Sequence, residues 1–231
     1  MLAFFCIIAG GLFLLAVADW LAPDPSQANL AQAIAVGLFL FLFYACAPSY
    51  ARFIGANVIV DQEMLTRLNS ARCDRIRANL LLYDDDVKNA NAVGLVPGYA
   101  TIYITRSFLQ HLSDVGLRGI LAHESTHVRE FHLLVIAIYA SVFASLAQLT
   151  GDVYFFVSGV LGFLALRRQL EFRADAGGAR MAGKTAMIEA LVELAVICPS
   201  YRFERWVVFL TPYPTLSMRL QALRTGKKPF V

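Results

Sequence analysis

The stretch His123-Glu124-Ser125-Thr126-His127 decides how the rest of this 231-residue chain is read. On an α-helix, two histidines four residues apart lie about 40° apart around the axis, one turn above each other. Both imidazoles then share a face and can hold one zinc ion, with Glu124 beside them facing the metal-bound water. Zinc lowers the pKa of such a water to about 7, and a carboxylate can take its proton as it attacks a carbonyl. The competing reading is a surface helix that happens to carry two His and a Glu. The chain holds only 4 histidines, which makes the pattern rare by chance. Leu117, Ile120 and Leu121 precede it at helical spacing, so a helix is expected there.

Four apolar runs flank the motif: Leu2–Ala18, Leu30–Ala47, Leu133–Leu149 and Val153–Leu166. The first three reach the length of a spanning helix. The fourth covers about 21 Å of helix, short of a hydrocarbon core of roughly 30 Å. A mean hydropathy of +0.59 and 58% hydrophobic residues agree with a polytopic membrane protein. Ala16-Val17-Ala18 resembles a signal-peptidase site, but no basic residue precedes the apolar run, and an uncleaved anchor is expected. The four cysteines lack metal-type or redox spacing, and no disulfide framework is implied.

All 20 Lys and Arg fall in Arg52–Arg129 and Arg167–Lys228, whereas the remaining connections carry only Asp19, Asp24 and Asp152. The positive-inside rule then puts both basic segments in the cytoplasm and the short acidic loops outside. The net charge of +3 is a topology signal. The basic residues are dispersed with no binding motif, so a nucleic-acid partner is excluded from the reading.

An antiparallel hairpin of the last two runs returns the chain to the cytoplasmic face near His127. There Glu171-Phe172-Arg173-Ala174-Asp175 offers carboxylates at i and i+4. Glu171 can complete the zinc site, and Asp175 can orient a histidine ring from behind it. The alternative is that both acids pair with Arg168 and Arg173 on a solvated helix. His132, nine residues from His123, should lie about 180° around a continuous helix and point away from the metal.

With these motifs on the page, the chain resembles the HtpX-type membrane metallopeptidases, relatives of the CAAX prenyl endopeptidases. Glu171, Ala174 and Asp175 match the family's Glu-x-x-Ala-Asp, followed by Ala176-Gly177-Gly178-Ala179. Asn89-Ala90-Asn91-Ala92-Val93-Gly94 resembles its Asn-Ala-x-Ala-x-Gly segment. The resemblance implies that Asn89, Ala90, Asn91, Ala92 and Gly94 belong to an edge strand that pairs with substrate backbone, a mode that gives affinity with little sequence preference. On the residues alone, a polar turn before a strand at Thr101–Ile104 is an equal reading. Tyr213-Pro214-Thr215-Leu216-Ser217-Met218-Arg219-Leu220 resembles a C-terminal motif that helps stabilise the transition state, with Tyr213 where the family has histidine. A tyrosine hydroxyl can donate to an oxyanion. Arg219 reads either as part of that machinery or as a brace for Asp175.

The expected fold is mainly α with a small β element. Four transmembrane helices accompany a zincin-like metallopeptidase domain built from two segments. Residues 1–48 hold two spans, 49–132 the first catalytic segment, 133–167 a transmembrane hairpin, and 168–231 the second segment. The expected function is a membrane zinc endopeptidase, with one Zn2+ per chain held by His123, His127 and Glu171 and with Glu124 as general base. Its partners are a polypeptide substrate and the lipid bilayer. By resemblance its setting is a bacterial inner membrane, its active site is cytoplasmic, and its role is quality control. Two other classes are a sensor peptidase cleaving one regulatory partner and a non-catalytic zinc-binding scaffold.

Overall fold

The structure, a computed structural model, describes residues 2–22, 24–54, 58–59, 61–73, 78–197 and 208–227, with backbone alone at 2–8 and 50–54. The expected surface segment Phe203–Leu210 lies outside the described residues apart from its last three, as does Cys198.

Two apolar helices open the chain, α1 (Leu2–Leu21) and α2 (Pro25–Ile54). Helix α3 (Gln62–Ala71) follows, its first turn capped by the Asp61 carboxylate, which accepts from the Glu63 and Met64 amides. Three short strands come next: β1 (Asn79–Tyr83), β2 (Ala90–Val93) and β3 (Thr101–Thr105). β3 is central, parallel to β1 and antiparallel to β2, so β2 is an outer strand. Helices α4 (Arg106–His111) and α5 (Asp114–Arg129) are split at Leu112-Ser113, with the Ser113 hydroxyl capping α5 through the Gly116 amide. The long helices α6 (His132–Thr150) and α7 (Val153–Ala182) form an antiparallel hairpin through Gly151-Asp152. Helix α8 (Lys184–Ile197), a 3-10 turn at Val208–Leu210 and α9 (Leu216–Thr225) complete the chain.

Among the described residues, Pro25–Ser49, His132–Thr150 and Val153–Ala182 are long and apolar enough to cross a membrane. α1 is 20 residues long and carries no charge before Asp19, near its C-terminal end. The run Val153–Leu166 is the first half of a 30-residue helix, about 45 Å long, so helix length does not limit it. α7 leaves its apolar half at Arg167 and continues without a break through Glu171 and Asp175. The hairpin is fixed by stacked Tyr139, Phe143 and Phe155 rings and by the Tyr139 hydroxyl donating to the Gly159 carbonyl at 3.1 Å.

The core outside these spans gathers Leu82, Ile102 and Ile104 of the sheet, Leu117 and Leu121 of α5, and Met187 and Leu191 of α8, all at most 1% exposed. α5 is the hub. It packs against α7, α8, α3 and β2 and buries 11 of its 16 residues, including His123 and Glu124.

Candidate metal centre

His123 and His127 sit one turn apart on α5 and turn their Nε2 atoms toward each other at 3.2 Å. α7 crosses α5 at this level because Gly177 presents no side chain. A Cβ there would stand 2.3 Å from Thr126 Cγ2, between the two histidines in sequence. That approach brings Glu171 in, with Oε2 3.5 Å from His123 Nε2 and Oε1 3.6 Å from His127 Nε2. One turn on, Asp175 accepts from His123 Nδ1 at 2.9 Å. Arg219 of α9 grips Asp175 with two hydrogen bonds, Nε to Oδ2 at 2.8 Å and Nη2 to Oδ1 at 2.6 Å. Its Nη1 lies 3.5 Å from Glu171 Oε2.

These donors fit zinc. Tetrahedral ligands about 2.0–2.1 Å from the metal stand about 3.3–3.4 Å from one another; here the two Nε2 atoms are 3.2 Å apart, and they lie 3.5 and 3.6 Å from the two different oxygens of the Glu171 carboxylate. The three donor atoms lie within 4.8 Å of one another, the one such group among the described residues. Charge agrees with geometry. Burial opposes protonation of His123, yet hydrogen bonds that the ring donates to the Asp175 and Glu171 carboxylates outweigh it and raise its pKa to about 10. Burial, with His123 alongside, lowers His127 to about 3. The acids around His123 therefore favour one positive charge where the two rings and Glu171 meet. Glu124 is 8% exposed. Burial pushes its carboxyl up to about 7, although His123 nearby and a hydrogen bond from the Ala92 amide pull the other way.

The sequence matches Peptidase family M48 over residues 60–227, which contains every residue of this centre. The chain belongs to peptidase family M48. As an M48 member it is by family a metalloprotease. It is 27% identical to a protein named Protease HtpX homolog from Gemmatimonas aurantiaca, over 81% of this chain and 78% of that one. It is 26% identical to a protein of the same name from Paraburkholderia phytofirmans, over 67% of this chain and 64% of that one. Its fold is shared with the crystal structure of Ste24p from S. mikatae at a TM-score of 0.72 and 18% identity, covering 95% of this chain and 63% of that one. The chain thus spans just under two thirds of the length of the second relative and of Ste24p.

Within this M48 centre, the remaining expected site residues divide. Ala90, Asn91 and Ala92 lie on the outer strand β2, with Ala92 2% exposed and its amide bonded to Glu124. Asn91 donates to the Tyr103 hydroxyl at 3.3 Å, and the Asn89 carbonyl accepts from the Thr105 amide at 3.0 Å. Gly94 has φ +109° and abuts Pro48 of α2, where a Cβ would come within 2.9 Å of Pro48 Cγ. The strand is thereby tied to the end of a membrane helix.

Tyr213 is placed differently. Its hydroxyl accepts from Arg167 Nη2 at 2.9 Å, its ring lies 5.2 Å beneath that guanidinium, and it is 52% exposed. Among the described hydrogen bonds, none joins Tyr213 to His123, Glu124, His127 or Glu171. Arg219, gripping Asp175, takes the bracing geometry.

His132 stays outside the metal-ligating group, as expected, but its ring does not lie on the far side of the helix. α5 ends at Arg129, Phe131 takes a left-handed conformation (φ 56°, ψ 33°), and α6 starts afresh at His132. The ring folds back, with its Nδ1 3.1 Å from His127 Nδ1. The 180° estimate assumed one continuous helix. No glycine or proline marks the break, and only basic residues in the last turn, His127 and Arg129, hint at it.

Proposed function

We propose that this chain is a four-span zinc endopeptidase of a bacterial inner membrane that hydrolyses membrane-associated or misfolded polypeptides at the cytoplasmic face, in proteolytic quality control. The observation that carries the reading is the convergence of His123 Nε2, His127 Nε2 and the Glu171 carboxylate at tetrahedral spacing. Glu124 is buried next to them and outside the ligand triangle. A purely structural site has no need of such a carboxylate.

His123, His127 and Glu171 would hold the metal, which when bound supplies a Lewis acid that acidifies water and polarises a carbonyl. Asp175 accepts the Nδ1 proton of His123 and so presents Nε2, while Arg219 fixes Asp175. Glu124 takes a proton from the attacking water and returns it to the leaving amine. The outer strand β2 would receive the substrate as an added strand, reading backbone more than side chains. The Ala92 amide places that strand directly against the base.

The membrane-associated substrate class is supported by position. Glu171 follows the apolar half of α7 by five residues, α6 starts five residues after His127, and β2 ends against α2 at Pro48. The cytoplasmic assignment rests on the basic residues flanking the site.

The test is Glu124→Gln in detergent-purified protein with casein as substrate. Zinc content should stay at the wild-type level while cleavage falls about 10²–10⁴-fold. Equal zinc loss in Glu124→Gln and His123→Ala would make Glu124 a ligand and overturn its role as base.

A further inference from the structure

We propose that His132 is a positioning residue that fixes the tautomer and orientation of His127, backed by Glu130 and two arginines of α7. The proposal rests on the metal-site reading above. Three observations carry it.

The first is the contact. His127 turns Nε2 toward His123 and Glu171 and has Nδ1 on the opposite edge of the ring. An imidazole that offers one nitrogen to a metal keeps its proton on the other, so Nδ1 is a donor in need of an acceptor. His132 Nδ1, 3.1 Å away, is that acceptor. The second is burial. His132 is 1% exposed, and its Nε2 makes no hydrogen bond but lies 3.4 Å from Glu130 Oε2. With Nδ1 accepting, the His132 proton belongs on Nε2, toward that carboxylate. Glu130 is held in turn by Arg173 at 3.1 Å and Arg180 at 3.0 Å, both from α7. The third is backbone strain. Phe131 is the one non-glycine residue with positive φ among the described residues. Such a conformation is unfavourable for a bulky side chain and persists where the surroundings over-determine it. Here it turns His132 back onto His127.

The two metal-ligating rings are therefore oriented by different devices. His123 leans on the carboxylate Asp175, and His127 leans on another imidazole whose far side is charged. Because Arg173 and Arg180 share α7 with Glu171, the same string ties the end of α5 to the helix that supplies the third ligand.

The test compares His132→Leu, which keeps bulk and removes the acceptor, with His132→Asn, whose amide oxygen can stand where Nδ1 stands. Zinc affinity of the detergent-purified full chain is measured by chelator competition, and the visible spectrum is recorded on the cobalt-substituted protein. His132→Leu should weaken zinc binding 10–100-fold and alter the cobalt bands, while His132→Asn restores both most of the way. Glu130→Gln, which leaves the His132 ring in place, should weaken zinc binding by a smaller factor and serves if His132→Leu does not fold. Wild-type affinity and spectrum in His132→Leu, or equal loss in the Leu and Asn variants, would overturn the proposal. Wild-type zinc affinity in Glu130→Gln would remove its charged backing and overturn it likewise. A wild-type chain that bound no zinc would instead overturn the metal-site reading.

Discussion

Gly177→Ala tests how closely helix packing governs the centre. The added Cβ would lie 2.3 Å from Thr126 Cγ2, 2.5 Å from Oγ1 and 3.0 Å from Cβ. Carbon atoms in ordinary contact stand about 3.5–4.0 Å apart, so the shortfall at the nearest atom is about 1.2–1.7 Å. Thr126 cannot simply rotate away. It is fully buried, and its hydroxyl donates to the Ala122 carbonyl at 2.9 Å. α5 and α7 must therefore separate, which by general experience of overpacked cores costs about 1–3 kcal/mol. For a chain of this size that corresponds to a fall in unfolding midpoint of about 2–12 °C. The same displacement stretches the 3.5 and 3.6 Å separations between the histidines and Glu171. A misplacement of about 1 Å at a catalytic centre costs about 10²-fold in rate. The assay is thermal unfolding in detergent together with casein cleavage and zinc affinity. Thr126→Ala removes the two nearest atoms, so the double variant Thr126→Ala/Gly177→Ala should recover at least about 0.5 kcal/mol relative to additivity. Gly10→Ala, where a Cβ meets nothing within 4 Å, is the control. Wild-type stability and activity in Gly177→Ala, or strict additivity in the cycle, would refute the packing argument.

Glu171→Ala should abolish zinc retention under mild chelation, and Asp175→Ala should weaken it about 10–100-fold, both read by metal analysis after dialysis. Full occupancy in Glu171→Ala would force a different ligand set. Arg219→Met leaves the buried Asp175 and Glu171 carboxylates without their cation and is expected to destabilise the fold by about 3–5 kcal/mol, measured by denaturant unfolding in micelles. An Arg219→Met protein as stable as wild type would show that the bidentate contact is not a brace. In cells, with the native cysteines replaced, cysteine reporters at Ser70 and Glu189 should be shielded from an impermeant reagent while one at Ser26 is labelled. Labelling of Ser70 from outside would invert the topology.

The sequence was most informative where a local rule sufficed. The His-Glu-x-x-His spacing placed two imidazoles on one face of α5, and the apolar runs located the membrane hairpin that returns Glu171 to them. The residues that escaped sequence reading depend on backbone events without a compositional mark. Phe131 adopts a left-handed conformation though nothing in Glu130-Phe131-His132 announces it, so His132 looked remote when it is in contact. The fourth apolar run looked short because charge ends it at Arg167, whereas the helix itself continues to Ala182. Tyr213 was aligned by motif, but its partner Arg167 comes from 46 residues away and could not be inferred from spacing. The Gly177–Thr126 contact joins two helices across a membrane hairpin, a proximity set only by tertiary packing.

The central claim is that two histidines and one glutamate hold a zinc ion while the neighbouring glutamate stays free. Zinc K-edge X-ray absorption on the detergent-purified chain tests it most directly, run on wild type and Glu124→Gln in parallel. The expected result is one zinc per chain with two imidazoles and only N/O scatterers at about 2.0–2.2 Å, and the same spectrum of protein ligands in Glu124→Gln. A sulfur shell at about 2.3 Å, a single imidazole, or loss of an oxygen ligand in Glu124→Gln would contradict it.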